Sequence, residues 1–400
     1  MENLLAQKIR DDLYYIGVND RHTHLFEAMW PLPDGVSYNS YLVKGKENIM
    51  FDLVKATEQT TFLEKLKEVL GDEPLHYLVI NHMEPDHTSG IVALLARYPD
   101  IKIITNKRAL PFLKNYYGVE DNITLVNDGE TLELGDHAFT FYNTPMVHWP
   151  ESMVAYEEKT KTLFSQDIFG GFGTLDGAIF DDEVEFGKYY LDETTRYFIN
   201  IVGKYAQQAV RAIEKLAPLE IKMICPDHGP IWRKNPEKIV ELYTKLAKQE
   251  TEKGVVIIYG SMYGNTERMA AAVAKGVAEG GVTNIRMHDV SKTPQSYLLA
   301  DCWKYKGVIL GSCSYNHNIF PTMGFLLSEL KHQKMKNNVW GFFGSYSWNG
   351  GAVREFKKWA EEYKCNMIED VPEIQGAATE EQLKELTELG REMARRVLED

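Results

Sequence analysis

Apolar residues recur along this chain in two rhythms, and the change between them divides it. Up to about residue 249, short strand-like runs at 14–18, 38–43 and 48–54 mix with helical stretches. The polar turn Lys44-Gly45-Lys46-Glu47 between the last two runs predicts a hairpin. Phe62, Leu63, Leu66, Val69 and Leu70 fall at helical spacing, and Tyr77-Leu78-Val79-Ile80 reads as a buried strand. Phe198, Ile201, Val202, Tyr205, Val210 and Ile213 predict one long helix over 189–216. Such a mixture predicts a layered domain of strands and helices.

From Gly254 the alternation becomes regular. Val255-Val256-Ile257-Ile258-Tyr259 predicts a buried strand and 266–277 a helix. Further strands are predicted at 285–287, 307–310 and 339–343, with helices between them. That order predicts a doubly wound parallel sheet. A last helix is expected over 381–398, capped by Thr379 with Gln382 three residues on. The junction 248–254 is short and charged, so the expected domains are 1–250 and 251–400, without an internal repeat.

Composition narrows the class. The 400 residues are 44% hydrophobic and 26% charged, as in soluble proteins that bury full cores without disulfides. The formal charge of −14 repels phosphate backbones and makes nucleic acid a poor partner. No run approaches the ~20 apolar residues of a membrane span. The first residues, Met1 to Lys8, lack a basic region followed by an apolar run, so no signal peptide is expected. Cys225, Cys302, Cys313 and Cys365 are scattered with no Cys-x-x-Cys pair. This disfavours a disulfide framework, a zinc ribbon and an attached rubredoxin-type iron centre, and a cytoplasmic location is expected.

The strongest chemical signal is Asn81-His82-Met83-Glu84-Pro85-Asp86-His87, directly after a predicted strand. Four metal-ligand side chains lie within six residues, at the end of a strand where open sheets place their sites. His148, Asp167 and His228 also sit where strands are predicted to end. The series resembles the metallo-β-lactamase superfamily over residues 30–230, whose motif is His-x-His-x-Asp-His followed by a distant His, Asp and His. Glu84 stands where that motif has its second histidine. A carboxylate is a harder ligand than imidazole and moves preference from zinc toward iron or manganese. The resemblance implies an αββα sandwich in which His82, Glu84 and His148 hold one metal. Asp86 and His228 then hold the other, and Asp167 bridges them. His87 is a ligand in the zinc hydrolases but can point away in iron-containing relatives, so both positions stay open. In those relatives a non-ligand histidine from the region of residues 20–26 can approach the metal pocket, where it would suit reduction chemistry as a proton donor. His24 is the better match, while Arg21 and His22 read as exposed loop residues. His76, His137, His288, His317 and His332 carry no pattern and are expected on the surface or in loops.

The second domain opens strand–loop–helix with Ser261-Met262-Tyr263-Gly264-Asn265-Thr266 as the loop. Hydroxyls beside the N–H groups of a helix start form a phosphate cradle. The loop has no lysine and is not Gly-x-Gly-x-x-Gly, so it fits a phosphate monoester such as that of FMN. Two later loops, 311–318 and 344–351, combine glycines with aromatic rings. Ser312, Cys313, Ser314, Tyr315 and Asn316 of the first, and Ser345, Tyr346, Ser347, Trp348 and Gly350 of the second, are the candidate flavin-ring contacts. The pattern looks like flavodoxin over 254–400, with strand order 2-1-3-4-5.

Together the two halves resemble the flavodiiron proteins over almost the whole chain, including His148-Trp149-Pro150 and Asp227-His228-Gly229. The resemblance implies a reductase of O₂, NO or both, with two irons and FMN. An external electron donor such as rubredoxin is expected. So is a head-to-tail homodimer or dimer of dimers, with Trp348 and Tyr315 near the partner's metal pocket and the loop around His24 in its wall. Two other readings stand beside it. One is a zinc-dependent hydrolase carrying a flavodoxin domain; the other is a flavin electron carrier with a scaffold domain.

Overall fold

The computed structural model describes residues 5–368 and 371–399; the first four residues, part of the segment read as lacking a leader, lie outside these. The chain divides into two compact units, one ending at Ala247 and the next beginning at Lys248.

In the first unit a seven-stranded sheet runs in the order Gln7–Arg10, Leu13–Tyr15, Tyr41–Val43, Ile49–Phe51, Tyr77–Val79, Lys102–Asn106, Ile123–Val126. Its first three pairings are antiparallel and its last three parallel. The expected hairpin is there, with Val43 opposite Ile49. A five-stranded sheet follows in the order Glu130–Leu134, His137–Asn143, Met153–Glu157, Thr162–Gln166, Met223–Pro226. The two sheets meet through aromatic packing. Phe51 stacks on Phe164 at 3.9 Å between ring centroids, and Phe139 meets Phe51 edge-on at 5.0 Å. All residues of the strands Tyr41–Val43, Ile49–Phe51, Met153–Glu157 and Thr162–Gln166 are buried. Strands buried on both faces need cover on the side away from the other sheet, and helices supply it, giving the four-layer αββα order.

Two expectations change here. The helix expected over 189–216 is interrupted. Leu191–Tyr197 gives way to a wide i→i+5 turn over Phe198–Val202 and a tight turn over Gly203–Tyr205, before Ala206–Leu216 resumes. The Asn200 side chain donates to the Arg196 carbonyl at 2.7 Å, competing with the ordinary helical bond. His137 is buried rather than on the surface. It lies in a charged cluster that ties the edge strand Gln7–Arg10 to the second sheet: His137 Nδ1 is 2.6 Å from Glu157 Oε1, and Arg10 donates to Glu157 Oε2 at 2.7 Å and to Thr162 Oγ1 at 2.7 Å.

The second unit is a parallel sheet ordered Ile285–Asp289, Glu252–Gly260, Tyr305–Tyr315, Val339–Tyr346, Glu373–Gln375, which is 2-1-3-4-5 as expected. The helices Asn265–Glu279 and Glu380–Glu399 pack together on one face, so closely that a Cβ on Gly276 would lie 1.9 Å from the Thr387 carbonyl oxygen. The last helix opens with a reciprocal cap: Thr379 N–H donates to Gln382 Oε1 at 3.0 Å, and Gln382 N–H to Thr379 Oγ1 at 3.3 Å. The stretch 312–315, expected as loop, instead continues the strand to Tyr315. That strand turns back on Asn318–Ile319 through Asn316 and His317, both at positive φ.

Candidate metal centre and flavin site

Four loops bring the metal-ligand residues together. One follows Tyr77–Val79, carries His82 and Glu84, and runs into the short helix Pro85–Thr88, which carries Asp86 and His87. One joins His137–Asn143 to Met153–Glu157 and carries His148. Asp167 and Asp227-His228 directly follow the strands Thr162–Gln166 and Met223–Pro226. The seven ligand-type side chains are at most 12% exposed.

Asp167 organises the cluster. Its Oδ2 faces His148 Nε2 at 3.0 Å and His82 Nε2 at 3.3 Å, and Glu84 Oε2 lies 2.9 Å and 3.3 Å from the same two nitrogens. Its Oδ1 faces His87 Nε2 at 3.2 Å and His228 Nε2 at 3.4 Å, and Asp86 Oδ2 lies 3.3 Å and 3.5 Å from that pair. The donor atoms thus form two groups that share one carboxylate. His87 points into the second group, its Nε2 3.1 Å from that of His228.

Both oxygens of Asp86 and both of Asp167 are buried without a hydrogen-bond partner. Buried carboxylate oxygens are ordinarily satisfied, and here their lone pairs converge with imidazole nitrogens on two points. That fits two hard cations. The electrostatics point the same way. Burial alone would lift Glu84, yet His148 and His82 beside it hold it well below the usual carboxylate range. Burial opposes charge on His148 and His87, but Glu84 and Asp167 raise His148 to about 9. Asp86, Asp227 and Asp167 raise His87 to about 10. Burial, then His87, push His228 down to about 4, and burial pushes Asp86 up to about 7. The carboxylates thus favour positive charge beside His148 and His87, and cations held between them would supply it.

Several supporting residues carry no sequence motif. Glu151 Oε1 sits 3.0 Å from His82 Nδ1 and accepts from Met83 N–H at 2.9 Å. The Ser37 carbonyl lies 2.7 Å from His228 Nδ1. Asp52 accepts from Asn81 N–H and from its side chain at 2.8 and 3.0 Å, fixing the start of the ligand loop. Phe26, Tyr38 and Tyr197 pack their rings on His228 at 5.4–5.6 Å, and the Tyr197 hydroxyl is buried without a partner. Glu151 lies three residues after His148 and Asp52 one residue after a strand, the only signals the chain offers for them. His24 is not drawn into the cluster: its side chain is exposed beside the small hairpin of Leu25–Phe26 and Trp30–Pro31 and makes no hydrogen bond or ring contact with the ligands.

In the second unit the candidate flavin residues gather where three adjacent parallel strands end. Gly264 takes the left-handed backbone (φ 89°) that lets the chain turn into the helix Asn265–Glu279, and its N–H donates to Ser261 Oγ at 3.0 Å. No side chain caps that helix, so its first N–H groups are available to a phosphate. Thr266 and Ser345 are buried and their hydroxyls meet at 2.9 Å, coupling the first and third segments. Tyr263 is 91% exposed, Trp348 80% and Tyr315 44%, an unusual concentration of bare rings at one sheet end. Met262 and Asn265 are exposed beside them, as are Asn316 and Ser347, with Tyr346 and Gly350 half-buried. An uncapped helix start beside unstacked rings fits a phosphate-bearing planar ring system such as FMN. In the segment 312–316 two side chains are already engaged within the protein and a third is buried. Ser312 Oγ donates to the Cys313 carbonyl at 2.9 Å and accepts from Phe320 N–H at 3.1 Å, Ser314 Oγ accepts from Ala352 N–H at 3.1 Å, and Cys313 is buried. What this strand end offers a flavin is therefore mainly backbone and the Tyr315 ring.

Residues 36–229 match the family described as ODP family beta lactamase, and residues 257–390 match the flavodoxin family. A nitric oxide reductase of Moorella thermoacetica is 32% identical over 97% of this chain and 98% of its own length. The structure of rubredoxin oxygen:oxidoreductase from Desulfovibrio gigas superimposes with a TM-score of 0.94 at 30% identity, covering 98% of this chain and 99% of that one. A variant of the flavo di-iron protein from Thermotoga maritima gives 0.90 at 30% identity, covering 98% of both. With its two folds in one continuous match and its two groups of donors sharing a carboxylate, the chain belongs to the flavodiiron protein family.

Proposed function

We propose that this chain is an oxidoreductase that reduces NO to N₂O, O₂ to water, or both, at two irons supplied with electrons through FMN. The observation that carries the reading is Asp167, whose two oxygens each face one pair of histidines. In this reading His82, Glu84 and His148 hold one iron, Asp86, His87 and His228 the other, and Asp167 joins them. Bound there, the irons supply reducible sites for a diatomic molecule and FMN supplies electrons singly. The chain's own part is to set the ions side by side, to keep the pocket dry behind Phe26, Tyr38 and Tyr197, and through Glu84 to favour iron over zinc. That carboxylate weighs against the hydrolase reading, and so does the flavodoxin match, since a zinc hydrolase needs no flavin.

Ser261, Asn265 and Thr266, with the start of their helix, hold the FMN phosphate, and the backbone of 312–316 and 345–350 with Tyr315 and Trp348 holds the ring. A carboxylate at position 266 would oppose the phosphate charge, so Thr266→Glu should release FMN while leaving iron in place; unchanged flavin content would remove the loop from the site. The donor is a separate redox protein of the rubredoxin kind, the assembly a head-to-tail homodimer or dimer of dimers, and the location the cytoplasm, where four unpaired cysteines persist. His24 is the candidate proton donor, and a parent-like pH profile in His24→Gln would dismiss it.

The deciding experiment mixes anaerobically reduced protein with O₂ and with NO in parallel in a stopped-flow instrument. Rapid flavin reoxidation with water or N₂O as product is expected. Inertness toward both gases, or full activity in protein loaded with zinc alone, would defeat the proposal.

A further inference from the structure

The imidazoles of the cluster are not held alike. His228 directs Nδ1 at a neutral acceptor, the Ser37 carbonyl, at 2.7 Å. His87 Nδ1 has no hydrogen bond, since Asp227 Oδ2 stands 3.6 Å away. His82 Nδ1 lies 3.0 Å from a carboxylate, Glu151 Oε1. Glu151 is 2% exposed, and the same oxygen also accepts from the backbone N–H of Met83, next to His82, at 2.9 Å. Its other oxygen, Oε2, is buried with no partner. A charged group sealed from water at considerable cost is thus spent on one ring nitrogen and the amide beside it.

We propose that Glu151 is a positioning residue for the metal centre, acting through His82. A carboxylate only accepts, so it fixes the His82 proton on Nδ1 and leaves the Nε2 lone pair facing Glu84 and Asp167. Its charge makes the imidazole a stronger donor and favours the oxidised metal at the position of His82, Glu84 and His148. Glu151 also joins two ligand loops: it lies on the segment that carries His148 and grips the segment that carries His82 and Glu84. Asn106 steadies that segment from a third strand, its side chain donating to the Glu151 carbonyl at 2.5 Å. The inference rests on the di-iron reading above.

The test compares Glu151→Gln, Glu151→Ala and Glu151→Asp with the parent. Glutamine is isosteric and retains an oxygen for both bonds but removes the charge. Iron per chain is measured against a graded chelator, the potential of the mixed-valence state by EPR-monitored redox titration, and the FMN potential serves as internal control. Iron retention should fall about 10-fold in Glu151→Gln and about 100-fold in Glu151→Ala. The mixed-valence potential of Glu151→Gln should rise while that of FMN stays put, and Glu151→Asp, which restores the charge, should bring it back toward the parent. A Glu151→Gln variant with parental potential and chelator resistance would overturn the inference. So would a lowered melting temperature with the potential unmoved, the mark of a purely structural role. A parent that holds no iron when grown with it would instead defeat the di-iron reading.

Discussion

Two charged clusters are buried in the first unit, and they are built on opposite principles. Around Glu157 each charge has found its complement. Arg10 and His137 take one carboxylate oxygen each, and Asp12 lies 2.5 Å from Arg10 Nε. Around Asp167 both of its own oxygens and both of Asp86 have no hydrogen-bond partner. Burial and charge are common to both. What differs is whether the charges are satisfied within the protein, and that difference separates a structural ion cluster from a site whose donors fit cations.

The contrast can be broken or sharpened by experiment. The largest effect is expected for Asp167→Asn, which removes the charge shared by both donor groups. Iron should be lost and gas reduction should fall by more than about 100-fold, with FMN content unchanged; metal analysis and NO or O₂ consumption check this. Stripping iron from the parent should come next. A ligand present at 1,000 times its dissociation constant stabilises by about 4 kcal/mol, so calorimetry should show the first unit melting lower by about 10 °C and the second unmoved. Glu157→Gln should be smaller in scope: it breaks a buried pair at a cost of about 3 kcal/mol in denaturant unfolding, yet leaves iron content and turnover at parental values. Loss of iron in that variant would erase the distinction between the clusters.

The smallest effect is one of pH. The Glu157 hydrogen bond raises the pKa of His137, outweighing the burial that lowers it. A raised histidine gives stability that is fully present below its ordinary value of about 6.5 and lost as pH climbs through the folded value. Burial would raise Glu157, but His137 and its other partners hold it low, so its share is lost toward acid. Unfolding of His137→Gln should therefore differ most from the parent between the two ranges, near pH 6, and converge with it in alkali.

Much of this was legible because the informative residues are close in sequence or stand at strand ends. Residues 81–87 announce themselves by crowding, and the flavin loop by its place between a strand and a helix. In the second unit, regular alternation indicates a parallel, doubly wound sheet, and the order of its strands came with the resemblance to flavodoxin. Glu151, Asp52 and the Ser37 carbonyl were illegible because each acts across the fold on a partner far along the chain. The strand to Tyr315 was missed because Gly311, Ser312 and Ser314 read as loop, while pairing of Gly311–Cys313 with Phe343–Ser345 overrides that local preference. His137 looked incidental because nothing near it in sequence reveals Glu157 or Arg10 as its neighbours.

The wide turn over Phe198–Val202 carries a consequence for how such a chain can change by insertion and deletion. An i→i+5 turn is a helix that has accepted one extra residue. Deleting a residue there would regularise the turn and leave the segments on either side nearly in phase, whereas deleting one within Ala206–Leu216, where no such turn absorbs it, would swing the preceding segment by about 100°. Tyr197 would then leave His228, although no residue that touches the cluster had been altered. A change of length is therefore better absorbed in the wide turn than in the regular helix that follows it.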